Sequence, residues 1–148
     1  MNKKEMVRAL MDAVQRGDLE RAKMMFADDF QFSGSVPEPM DADDWLDMST
    51  SLKTAFPDLN YHFKVLDADG DVVRSTWRLS GTHTGALDMT NMEMGVIPAT
   101  NRFFASRLEK TEVTVKGNKI TSWVIKPTEG AGLKGILRQL RVKPVPSV

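Results

Sequence analysis

Two side chains in this sequence combine proton chemistry with a place beside apolar strand residues, His83 and Glu109. An imidazole titrates near neutrality, so His83 is a candidate to exchange a proton with a bound carbonyl compound. It follows a strand-like run in which Val73, Ser75, Trp77 and Leu79 alternate with Arg74, Thr76, Arg78 and Ser80. If extended geometry continues through Gly81, His83 falls on the Trp77 face. The competing reading is that His83 hydrogen-bonds its own Gly-Thr-His-Thr-Gly turn through Thr82 or Thr84. Glu109 and Arg107 share one face of a second strand pattern. Facing a cavity, Glu109 beside Arg107 or His83 makes an acid/base pair with separated pKa values; facing solvent, it makes a surface ion pair. Asp88, a few residues after His83, is placed to orient it.

Around these groups stand five aromatic residues, Trp45, Phe56, Trp77, Phe104 and Trp123, with the flat apolar surface that walls a small-molecule pocket. The same residues also suit a plain core. Trp77 and Trp123 are the best wall candidates because both fall in strand patterns, and Arg107 is the candidate polar contact for a ligand. His62 alternates with Lys64 away from Tyr61 and Phe63, which predicts an exposed ring.

Composition removes whole classes of function. With 148 residues the chain suits one domain, expected over 1–142 with a flexible tail at 143–148. Twenty basic and twenty acidic residues cancel, so no global field favours nucleic acid or anionic lipid. The absence of cysteine removes disulfides, thiolate nucleophiles and cysteine-ligated metals, and two histidines do not make a histidine-rich metal site. Asp67, Asp69 and Asp71 imitate the start of a calcium loop, but Val72 stands where the glycine belongs and Arg78 where the bidentate glutamate belongs. A solvated hairpin turn is the expectation. No GxGxxG or P-loop occurs. Charges interrupt the apolar residues at the N-terminus, and no stretch approaches the ~20 apolar residues of a membrane span. The expectation is a cytoplasmic protein with no metal and no cofactor.

The elements that must position these residues run from helices to strands. Met6, Val7, Leu10, Ala13 and Val14 predict a helix ended by Gly17, Leu19 to Phe26 a second, and Phe30 to Phe32 a short strand. Asp41 caps a third helix carrying Trp45, Met48, Leu52 and Phe56 on one face, stopped by Pro57. Tyr61 to Leu66 and Val73 onward predict a hairpin. The stretch 85–100 has no period, and its Met89, Met92 and Met94 suit either a lid over a pocket or a cover for the core. One long strand is predicted from Arg102 to Val115, a partner from Ile120 to Lys126, and a closing helix with Leu133, Ile136, Leu137 and Leu140 on one face. This order is α+β, with helices packed on one face of a sheet.

Four stretches carry a family resemblance: Ala55-Phe56-Pro57-Asp58-Leu59, Trp77 to Gly85, Ile97-Pro98-Ala99-Thr100, and Gly135 to Leu140. In order and spacing the chain resembles the SnoaL-like branch of the NTF2-like superfamily, which includes polyketide cyclases. The resemblance implies an NTF2-like cone, a curved antiparallel β-sheet wrapped by N-terminal helices with a short C-terminal helix. It also implies a pocket for a small apolar, carbonyl-containing molecule, cofactor-free cyclase or isomerase chemistry or binding alone, and a homodimer. The Val73–Gly85 stretch becomes the central strand of that cone. The family's aldol cyclases carry an acidic residue in the last strand, next to a position similar to Trp123. Here that segment reads Ser122-Trp123-Val124-Ile125-Lys126, without a carboxylate.

Overall fold

The structure is a computed structural model that describes residues 2–36, 38–90 and 95–142. Local chemistry sets the first elements. Asn2 accepts the backbone N–H of Glu5 and donates to its carboxylate, closing both ends of a reciprocal cap on α1 (Lys3–Arg16). Gly17, at φ 77°, ends it in the left-handed conformation a Cβ disfavours, and Asp18 N–H returns to Ala13 O at 2.8 Å. The same Asp18 caps α2 (Leu19–Met25) through Arg21 N–H. After β1 (Phe26–Ser33), Asp41 caps α3 (Ala42–Ala55) through Asp44 N–H at 2.8 Å, and Asp43 and Asp44 lie at the positive end of its dipole.

Strands β2 (Lys64–Asp69), β3 (Val72–Trp77), β4 (Ser80–Thr82), β5 (Leu87–Asp88), β6 (Val96–Ile97), β7 (Phe103–Ala105), β8 (Glu109–Lys116) and β9 (Lys119–Lys126) follow, then α4 (Gly132–Gln139). The main sheet runs β1-β9-β8-β3-β2, with two small pairs, β4-β7 and β5-β6. One face of it is apolar: Val73 and Trp77, Val113 and Val115, Ile120, Trp123 and Ile125 are buried, and Ser75 and Thr111 satisfy each other through their hydroxyls. The helices cover that face, as the helix-first pattern requires. None of the helices among the described residues is long and apolar enough to cross a membrane. The expected tail, 143–148, and Met92 and Met94 lie outside the described residues.

The α+β class and the layer of helices on one sheet face agree with the sequence. Several details differ. The sheet is mixed, because β1 lies parallel to β9. Its middle strand is β8, with β3 between β8 and the edge strand β2. Neither long strand is continuous. The first stops at Trp77 and resumes as β4, and the expected Arg102–Val115 strand divides into β7 and β8. The cause sits at one point, where Ser106 Oγ accepts Leu79 N–H at 2.9 Å while Ser106 N–H donates to Leu79 O at 2.7 Å. Side-chain and main-chain bonds there replace the regular ladder, and the sheet changes direction. Tyr61 to Phe63 also lie outside the strand predicted for them, because His62 turns through φ 46°.

Candidate functional site

A cavity of about 450 Å³ opens between α3, α4 and the inner face of the sheet. Its walls come from Trp45, Met48, Ser49 and Leu52 on α3, Trp77 and Leu79 at the break after β3, and Leu133 and Ile136 on α4. Tyr61, Leu87 and Met89 complete the apolar lining, and Phe32 closes it from β1. Among the described residues, the charged side chains on this lining are all acidic: Glu38, Asp44 and Asp88 are exposed, and Glu109 is buried.

Glu109 is the chemically unusual member. It opens β8 opposite Trp77, the last matched pair of the β3–β8 ladder, and is 3 % exposed. Trp77 Nε1–H donates to Glu109 Oε1 at 3.1 Å, and no protein donor reaches the second oxygen among the described residues. Burial removes hydration from the carboxylate and raises its pKa above the ordinary glutamate range; the indole N–H works in the opposite direction. A carboxyl whose pKa is raised by burial keeps its proton more readily than a solvated glutamate, which suits a group that takes up a proton and gives it back.

Trp77 fixes more than the carboxylate. Its ring contacts Phe32, Tyr61, Phe63 and Trp123 at centroid distances between 5.6 and 6.0 Å. Trp45 and Trp123 lie 5.1 Å apart behind it. The indoles therefore have little room to rotate, and the Trp77 N–H is aimed by packing. Tyr61 stacks on both Phe63 and Trp77, which also touch each other, and shares a 2.8 Å hydrogen bond with Ser49; burial pushes its phenol up to about 12.

The structure brings together only part of the predicted set. Trp45, Trp77 and Glu109 meet on the cavity, with Asp88 at its rim, where it binds Thr90 N–H and hydroxyl and so does not orient His83. Trp123 is fully buried behind the wall. Arg107 does not share the Glu109 face: the break before β8 turns it to solvent, where Nη1 donates to Glu129 O at 3.4 Å.

His83 is placed away from the lining. It is completely buried, 5.2 Å from the Phe56 ring, which in turn packs edge-on to Phe104 at 4.8 Å. Its Nδ1 accepts Thr100 N–H at 3.2 Å and lies 2.9 Å from the Thr100 hydroxyl, so the ring is neutral with its proton on Nε2. Desolvation lowers its pKa. His83, Phe56 and Phe104 thus form one packing unit beside β4 and β7. His62, expected to be exposed, is half-buried, with Nε2 2.8 Å from Ser80 Oγ.

Sequence reading missed Ser49 and Tyr61 as site residues. The signal for them was present, since Ser49 lies four residues after Trp45 on one helical face and Tyr61 carries the only phenol in the chain. No group of three metal-ligating side chains occurs among the described residues.

Comparison with solved structures returns the same architecture. A protein from Jannaschia sp. CCS1 assigned as a SnoaL-like polyketide cyclase superposes with a TM-score of 0.74 at 16% identity, covering 96% of this chain and 93% of that one. AclR from Streptomyces galilaeus, assigned as a hydroxylase, gives 0.71 at 18% identity over 94% and 95% of the two chains. IdmH from Streptomyces antibioticus, assigned as a polyketide cyclase, gives 0.69 at 20% identity over 92% and 99%. Among curated proteins the chain matches none. At these identities the likeness establishes the fold, and the family follows from the sequence itself. The family model for SnoaL-like polyketide cyclases matches residues 4–125, most of the elements that build the cavity, and the chain belongs to that family.

Proposed function

We propose that the cavity binds a small, largely apolar carbonyl compound and that Glu109 moves a proton on it without a cofactor, in a cyclase- or isomerase-type reaction. The observation that carries this reading is the buried Glu109 carboxyl, held by Trp77 on one oxygen and open on the other, on the wall of an apolar cavity. As a base, Glu109 takes a proton from the carbon next to the carbonyl, and the C–H electron pair moves into the carbonyl to give an enolate. The resulting carboxylic acid then returns the proton. Where a C=C bond extends the enolate to a dienolate, delivery to its far carbon completes an isomerisation; delivered to the alkoxide formed when the enolate carbon bonds to a second carbonyl, the proton completes a cyclisation. A carboxylate supplied by the first residue of β8 would do the work that the missing acidic residue of the last strand does in the family's aldol cyclases.

The test uses 2-tetralone, whose α-protons exchange measurably in D2O and whose two rings suit the cavity. The reading expects the protein to accelerate deuterium uptake, followed by NMR, and Glu109→Gln to lose most of that acceleration. Binding of 2-tetralone with exchange no faster than in buffer favours the alternative, a module that holds its ligand without chemistry.

A further inference from the structure

Ser49 and Tyr61 both line the cavity and are essentially buried residues, at 2 % and 1 % exposure, and each carries one hydroxyl. The hydroxyls lie 2.8 Å apart, and neither has another hydrogen-bond partner among the described residues. Two hydroxyls carry two protons, and one mutual bond uses one of them. Whichever group donates to the other, one O–H proton is left over at the cavity wall. A buried donor without an acceptor is destabilising, so the site gains when an occupant supplies one. The position is also rigid, because the Tyr61 ring is stacked 4.9 Å from Phe63 and 5.9 Å from Trp77, while Gln15 holds its backbone N–H at 2.8 Å.

We propose that the Ser49–Tyr61 pair is the recognition point for a carbonyl oxygen of the occupant, supplying the donor that Glu109, as a base, does not. The proposal rests on the pocket reading above and names the chemistry it selects: a neutral ketone, ester or quinone oxygen, hydrogen-bonded on the α3 side. Trp77 links the two polar groups, since its ring stacks on Tyr61 and its N–H binds Glu109. A carbonyl oxygen held by the hydroxyl pair is where negative charge gathers when Glu109 removes an α-proton, so the same donor stabilises the enolate.

The test compares 2-acetylnaphthalene with 2-isopropenylnaphthalene, a hydrocarbon of nearly the same shape, by equilibrium dialysis at pH 9. Alkaline pH drives Glu109 toward its ionised form, which accepts only, while Tyr61, with its phenol pushed up to about 12, keeps its proton. The wild-type protein should prefer the ketone by roughly five- to tenfold, the worth of one hydrogen bond. Ser49→Ala leaves the Tyr61 proton free and should keep that ratio within about twofold. The double variant Ser49→Ala/Tyr61→Phe has no proton to give, and its ratio should fall to about one. An unchanged ratio in the folded double variant overturns the proposal and leaves the pocket reading standing; failure of both probes to bind the wild-type protein overturns both. If the double variant does not fold, the carbonyl stretch of 2-acetylnaphthalene bound to wild-type protein at pH 9 decides. A stretch lowered relative to hexane solution supports the donor, and an unshifted one overturns it.

Discussion

Trp77 and Glu109 face each other across the β3–β8 ladder, and the indole N–H of one binds the carboxylate of the other at 3.1 Å on the cavity wall. The contact favours the ionised form of Glu109, against burial, which favours the acid. Trp77→Phe removes the first influence and leaves the second. The rate of 2-tetralone exchange should then show its acid limb at higher pH than in the wild-type protein, with a several-fold loss along that limb and recovery at alkaline pH. An unshifted limb would show that the indole does not govern this carboxyl.

The raised pKa of Glu109 also has a stability counterpart. Because the folded state holds the proton more tightly than the unfolded chain, its contribution to stability is full below the ordinary glutamate pKa, about 4.3, and is lost as pH rises through the folded value. Glu109→Gln has no proton to lose. It should be more stable than wild type at pH 7 and lose that advantage below about pH 4, as measured by urea unfolding across pH.

His83 carries the opposite dependence. Its folded pKa is depressed, so the unfolded chain takes up a proton first, and stability falls as pH drops below about 6.5. His83→Ala should abolish that slope and, by leaving Thr100 N–H without its acceptor, cost about 1–3 kcal/mol. Exchange of 2-tetralone per folded molecule should stay close to wild type. A complete loss of exchange in a folded His83→Ala protein would restore the imidazole as a proton carrier.

Among the described residues, charge on the cavity lining is all of one sign, from Glu38, Asp44, Asp88 and Glu109. Methyl 2-naphthoate should therefore bind at least about tenfold more tightly than 2-naphthoate, and added salt should narrow the gap by screening the exposed carboxylates. Equal affinities would mean that these groups do not act on the occupant.

Gly85 approaches the end of α3 so closely that an added Cβ would lie 2.2 Å from Thr54 O, while Thr84 and Gly85 N–H groups both reach Ala55 O. Gly85→Ala should destabilise by at least about 2 kcal/mol in denaturant unfolding, since the obstacle is backbone.

That contact explains which parts of the sequence were informative. The Ala55–Leu59 and Trp77–Gly85 stretches carry the family resemblance, and in the structure they hold each other: Asp58 binds Thr82 through both N–H and hydroxyl, and Ala55 O receives Thr84 and Gly85. Such motifs report fold, which is why the fold was legible and why the histidine inside one of them lies against Phe56 and Thr100, off the cavity lining. Period-two alternation placed Trp77 on the inner face. It could not place Glu109 relative to Arg107, because the ladder is broken at Ser106 by a side-chain hydrogen bond that no periodicity encodes. Tyr61 escaped for a related reason: the turn at His62 lies outside the φ range that alternation assumes.

The parallel pairing of β1 with β9 sets a condition on how the molecule comes into being. Phe32 lies beside Trp123, so the first strand of the chain waits for a partner made roughly 90 residues later. All other neighbours in the main sheet are antiparallel. Until β9 emerges during synthesis, Phe26, Phe30 and Phe32 have no sheet to join, and α1, α2 and α3 have only part of the surface they cover. The cavity is accordingly a late product of folding, and an early arrest leaves an aromatic strand exposed to other chains.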